Sequence, residues 1–205
     1  MHTTSTAGTG VRSKGLILAA MIFAVAMTFI DQTIVSIGAP TIQHSLGLSS
    51  SGMQWAINAY LLTLAALFAF GGRLADIAGH RKMVVLGVII FAGASALCGL
   101  TPSGGIAEAW LVAFRALQGA GGAIMFPAAI AIVVATFELH SRGRALALFF
   151  GIAGGLTAIG PIVGGYLIEW KWQSIFWINV PVALIALALI AISKPPDESR
   201  PAPGA

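Results

Sequence analysis

Residues 53–100 read MQWAINAYLLTLAALFAFGGRLADIAGHRKMVVLGVIIFAGASALCGL. Two apolar runs, 53–70 and 83–100, flank a short segment that carries Arg73, Arg81 and Lys82. A helix needs about 20 mainly apolar residues to cross ~30 Å of hydrocarbon. Neither run shows the alternation of polarity over about ten residues that marks a β-barrel strand. The stretch reads as two membrane-spanning helices joined by a tight basic turn.

The same pattern continues on both sides. Further apolar runs lie at 15–37, 109–134, 145–168 and 175–192, making six predicted spans. Composition agrees: 58% of the 205 residues are hydrophobic and only 9% charged, with a mean hydropathy of +0.92. Soluble domains carry about 25% charge, so lipid is the solvent that suits this surface. The run after Arg12 and Lys14 reads as an uncleaved span, because no small-x-small cleavage site closes it and Asp31 and Gln32 follow directly. Cys98 is the single cysteine, which excludes an intrachain disulfide or a cysteine metal cluster.

The net charge of +4 could signal nucleic acid, but its placement explains it differently. Nine basic residues fall in the two tails and the second and fourth connections: Arg12, Lys14, Arg73, Arg81, Lys82, Arg142, Arg144, Lys194 and Arg200. Only Lys171 lies on the other side, and Arg115 lies within a span. The positive-inside rule therefore predicts that both termini are cytoplasmic. Trp55, Trp110, Trp170, Trp172 and Trp177 fall near predicted outer ends, where an indole N–H can stay wet. The chain divides into a cytoplasmic tail (1–14), a six-helix bundle (15–193) and a polar stump (194–205).

Asp31 and Arg115 are ionisable residues inside spans. Such residues cost at least ~2.5 kcal/mol at mid-helix and usually carry function. At 1.5 Å per residue, Asp31 lies about 24 Å into the first span and Arg115 about 9 Å below the outer end of the fourth. Both depths fall in the outer half, so the two are expected to face one polar cavity and to be coupled. Asp31 is then a candidate proton acceptor; a static ion pair between two helices is the alternative reading.

Glycines 151 and 155, and 160 and 164, are spaced four apart in the fifth span, which allows close helix approach. Pro161 lacks a backbone donor and is expected to bend that helix. No His-Glu-x-x-His, nucleophile elbow or phosphate loop is present, so an enzyme, a metal site and a bound cofactor are not expected.

Specific motifs go further. The segment from Gly72 through Asp76 and Gly79 to Arg81 and Lys82 resembles the signature loop between the second and third spans of the major facilitator superfamily, with Ile77 and His80 where that family often has arginine. Arg115 through Gln118 to Gly121 resembles the family's fourth-span pattern. Gly160, Pro161, Gly164 and Gly165 resemble its antiporter pattern in the fifth span. Residues 29–40 around Asp31, residues 54–62 with Trp55 and Tyr60, and residues 176–181 resemble the fourteen-span drug:proton antiporters of the EmrB/QacA type.

That resemblance implies a bundle of two three-helix inverted repeats that works against a second bundle. It further implies proton-coupled export of lipophilic or amphipathic compounds from a bacterial inner membrane, the plasma membrane of the cell. In that frame Asp31 and Arg115 couple to protons. Gly72, Asp76, Gly79 and Arg81 form a cytoplasmic gate, and Gly160, Pro161, Gly164 and Gly165 shape a leak-limiting helix. Trp55, Tyr60 and Gln118 are candidates for the substrate path. The expected partners are lipid, a small-molecule substrate, protons and a second bundle, with no nucleic acid. The second bundle is sought in the remainder of a longer chain, another six-span chain or a second copy. A non-transporting subunit or degenerate remnant is the alternative function.

Overall fold

The computed structural model describes residues 7–197, with side chains from residue 14 onward. Arg12 as a side chain, and the tail beyond Asp197 with Arg200, lie outside the described residues. Helices α1 (Ala7–Leu46), α2 (Ser50–Ala78), α3 (His80–Gly99) and α4 (Ala107–Thr136) come first. They are followed by α5 (Leu139–Gly155), α6 (Gly160–Trp170), α7 (Ser174–Trp177) and α8 (Asn179–Ser193). No strand forms among the described residues. Five helical stretches are long and apolar enough to cross a membrane, and the bent α5–α6 pair makes a sixth when taken as one span. In hydrocarbon, helices of this kind satisfy their own backbone groups.

Several boundaries move. α1 does not end near residue 37 but continues through Pro40 to Leu46. The basic segment after residue 70 is not a loop. α2 continues to Ala78 and α3 starts at His80, so Gly79 alone makes the turn, with φ +103°. That conformation is open to glycine and strained for other residues. The polar residues there extend an apolar helix because they leave the hydrophobic layer without losing helix propensity.

The fifth span breaks where a bend was expected, by 41°. A 3-10 turn at Leu156–Ala158 separates α5 from α6, and Pro161 sits in the first turn of α6. Pro161 has no N–H to return to the carbonyl four residues earlier, so a break before it costs little.

α4 packs along both α2 and α3, while α1 packs along α8 and α6. Small residues set the closest approach, as lipid-embedded helices require. A Cβ on Gly87 of α3 would lie 2.7 Å from the Gly121 carbonyl oxygen of α4. One on Gly121 would lie 2.7 Å from the Phe91 amide nitrogen. In the fifth span only one glycine pair packs this way. Gly160 and Gly164 face Thr33 and Ile34 of α1, whereas Gly151, Gly155 and Gly165 meet nothing within 4 Å.

The tryptophans divide. Trp55 and Trp170 are exposed, but Trp172 is buried and the Trp110 indole donates to the Leu97 carbonyl at 2.8 Å. The wet-indole expectation fails at Trp110, where a backbone carbonyl replaces water.

Candidate functional site

Asp31 and Arg115 meet inside the bundle. The Arg115 Nη1 group donates to Asp31 Oδ2, and the two side chains are 1% and 0% exposed, respectively. The two side chains meet as an ion pair, but donors from neighbouring helices stand where a polar cavity was expected, and the pair is not turned outward to lipid. A charge facing hydrocarbon would be costly, and here the surrounding helices supply partners instead.

α4 brings Arg115 and Gln118 to one face, three residues apart. Arg115 Nη1 also donates to Gln118 Oε1 at 2.8 Å, and Gln118 Nε2 donates to Asp31 Oδ1 at 2.7 Å. α2 contributes the Ala56 carbonyl, which accepts from Arg115 Nε at 3.4 Å. It also contributes Tyr60, whose ring centroid lies 4.4 Å from the guanidinium carbon. That stacking is a cation–π contact, and the Tyr60 hydroxyl donates to the Thr28 carbonyl at 3.2 Å. Gly119 makes the geometry possible: a Cβ there would collide with the Tyr60 carbonyl oxygen.

The sixth span completes the centre. Asn179 Nδ2 donates to Asp31 Oδ1 at 3.1 Å and to Ser95 Oγ at 2.9 Å. Ser95 of α3 donates in turn to the Phe176 carbonyl at 2.8 Å. Gln118, Asn179 and Ser95 are fully buried or nearly so. The Asp31 carboxylate thus accepts from Arg115, Gln118 and Asn179. Sequence reasoning reaches Asp31, Arg115, Gln118 and Tyr60. It assigns no role to Asn179 or Ser95, although a lone amide in the run 175–192 is itself a signal.

The remaining candidates lie elsewhere. Tyr60 and Gln118 belong to the buried centre, whereas Trp55 stands apart at a shallow cleft of about 520 Å³ beside Gly105, Glu108 and Val112. Gly72 rests on Pro127 of α4. Asp76, in the last turn of α2, pairs with His80 at 3.3 Å, so a residue in a position often occupied by arginine is its partner. Arg81 meets the tail: its backbone N–H donates to Asp197 Oδ1 at 3.1 Å. Arg81 and Asp197 line a cleft of about 450 Å³ together with Lys82, Val85, Leu86 and Ile89. At the head of α5, Lys14 donates to Glu138 at 3.1 Å and holds that exposed carboxyl below its usual range. No group of side chains suited to a metal occurs among the described residues.

A family model described as Major Facilitator Superfamily matches residues 21–205. The chain belongs to that superfamily. It is 43% identical over 171 residues to the tetracenomycin C resistance and export protein of Streptomyces glaucescens, covering 83% of this chain and 31% of that one. It is 40% identical over 186 residues to the multidrug transporter protein MdtP of Bacillus subtilis, covering 89% and 33%. The puromycin resistance protein of Streptomyces alboniger is 39% identical over 174 residues, covering 84% and 33%. The chain therefore spans about a third of the length of these relatives. Among solved structures, a bacterial homolog of the human lysosomal transporter Spinster superposes with a TM-score of 0.76 at 23% identity, covering 92% of this chain and 45% of that one. The fold is shared with it.

Proposed function

We propose that this chain forms the first six-helix bundle of a drug:proton antiporter of the fourteen-span EmrB/QacA type, built from two inverted three-helix repeats. Both ends lie in the cytoplasm, and the exported compounds are lipophilic or amphipathic. The membrane is the bacterial inner membrane, and a second bundle completes the substrate path. The observation that carries this reading is the buried Asp31–Arg115 pair joining α1 to α4. The names of the relatives, which cite export and drug resistance, support the substrate class.

In this reading the pair works as a charge latch. With Asp31 ionised, its attraction to Arg115 holds α1 against α4. A proton on Asp31 cancels that attraction and leaves Arg115 with Gln118, Tyr60 and the Ala56 carbonyl. The latch loosens, and loss of the proton on the other side resets it. Asp76, Gly79, Arg81 and Gly72 form the gate at the opposite end, and Gly160 with Pro161 lets the fifth span bend against Thr33.

The test is drug accumulation in pump-deficient bacteria that express this chain together with the remaining two-thirds of a relative such as the tetracenomycin C export protein. Export that a protonophore abolishes, and that Asp31→Asn removes, is expected. Protonophore-sensitive export at an undiminished rate in Asp31→Asn would contradict the proposal.

A further inference from the structure

We propose that Asn179 is a positioning residue that holds Asp31 in its charged form from the sixth span, with its own orientation dictated by Ser95 and the Phe176 carbonyl. The inference rests on the proton-binding role given to Asp31 above and adds a third helix to it.

The argument follows the direction of each hydrogen bond. A backbone carbonyl only accepts, so at Phe176 the Ser95 hydroxyl must be the donor, and it is, at 2.8 Å. Its hydrogen spent, Ser95 Oγ faces Asn179 with a lone pair and can only accept. Of the two ends of the Asn179 amide, the NH2 end therefore meets Ser95, at 2.9 Å. The second hydrogen on that nitrogen reaches Asp31 Oδ1 at 3.1 Å. The amide cannot turn its oxygen toward Asp31 without losing the bond to Ser95. The chain from carbonyl to hydroxyl to amide thus delivers a fixed donor to the carboxylate, and a fixed donor favours the ionised form.

The setting gives this bond its consequence. Asn179 is the first residue of α8, just past the interruption at Ile178 that separates it from α7. Phe176, at the other end of the chain of bonds, lies on α7. Both sides of the break in the sixth span are thereby tied to the charge state of Asp31. The charged group in contact with Asp31 is Arg115 on α4, and Tyr60 on α2 stacks on that guanidinium. α6 meets α1 through Gly160 and Gly164. α5 carries Arg142 and Arg144 in its first two turns, at the Lys14–Glu138 end.

The test is a pH titration of the lipid-reconstituted chain by infrared spectroscopy, following the protonated-carboxyl stretch that disappears in Asp31→Asn. Asn179→Ala removes one donor to the anion and should move the midpoint up by about one pH unit, tenfold in proton affinity. Ser95→Ala frees the amide to turn and should move it up by less, while Ser95→Thr, which keeps the hydroxyl, should titrate as the unaltered chain does. Midpoints unchanged in both alanine variants would overturn the inference and leave the role of Asp31 standing. Should Asn179→Ala fail to insert, the contrast between Ser95→Ala and Ser95→Thr decides on the same terms. An unaltered chain that never shows the Asp31 band overturns both proposals.

Discussion

Arg115 and Asp31 stand 84 residues apart in the chain and share a direct ion pair in the closed interior of the bundle. Neither has bulk water to fall back on. Removing the cation leaves a buried anion with two neutral donors, and breaking buried pairs in this way typically costs about 3–5 kcal/mol.

Arg115→Ala should therefore unfold in detergent at markedly lower temperature than the unaltered chain. The double variant Asp31→Asn with Arg115→Gln removes both charges and should recover much of the loss. A double variant as unstable as Arg115→Ala would show that packing, and not the pair, dominates at this point.

The interface between α3 and α4 gives a second expectation. Gly121→Ala places a methyl 2.7 Å from the Phe91 amide nitrogen, and such overpacking costs about 1–3 kcal/mol. Gly151→Ala meets nothing within 4 Å and replaces a poor helix former with the best one. Thermal unfolding should separate the two: a clear loss for the first, no loss for the second.

The glycines of the fifth span show how far spacing can be read. The spacing of residues 151 and 155 looks as much like a packing motif as that of 160 and 164, yet only the second pair has a helix against it. Spacing says which residues share a face. It does not say which face a neighbour covers. Asp31 and Arg115 were legible because charge in an apolar run is costly and depth follows from counting. Their burial was not, because that depends on Gln118, Asn179 and the Ala56 carbonyl arriving from three helices. The basic segment after residue 70 reads as a loop for a related reason: hydropathy marks where lipid ends, not where a helix ends.

Gly79 offers a third test. Its φ of +103° suits glycine, so Gly79→Ala should destabilise the turn between α2 and α3 by about 1–3 kcal/mol. A Cβ there would also crowd the Asp197 carboxyl. Limited proteolysis near residue 80 should accelerate in the variant, and an unchanged cleavage rate would show that the turn tolerates a side chain.

Glu138 supplies a pH dependence. Its carboxyl is held below the usual range first by the hydrogen bond from Lys14, then by the charges of Lys14 and His140. Because the folded value is the lower one, the tie between the head of α1 and the head of α5 is present at neutral pH. It is lost as pH falls through that lowered value. Lys14→Ala should return the Glu138 titration toward the ordinary carboxylate range, as measured by carbon-detected magnetic resonance.

The most direct test of the central claim is proton-driven transport in proteoliposomes that hold this chain with its complementing bundle. An acid lumen should drive accumulation of a fluorescent lipophilic dye by the unaltered protein. With Asp31→Asn the dye should still equilibrate across the membrane but no longer accumulate against its gradient. Accumulation by Asp31→Asn at the unaltered level would contradict the assignment of Asp31 and Arg115 as the proton-coupling pair.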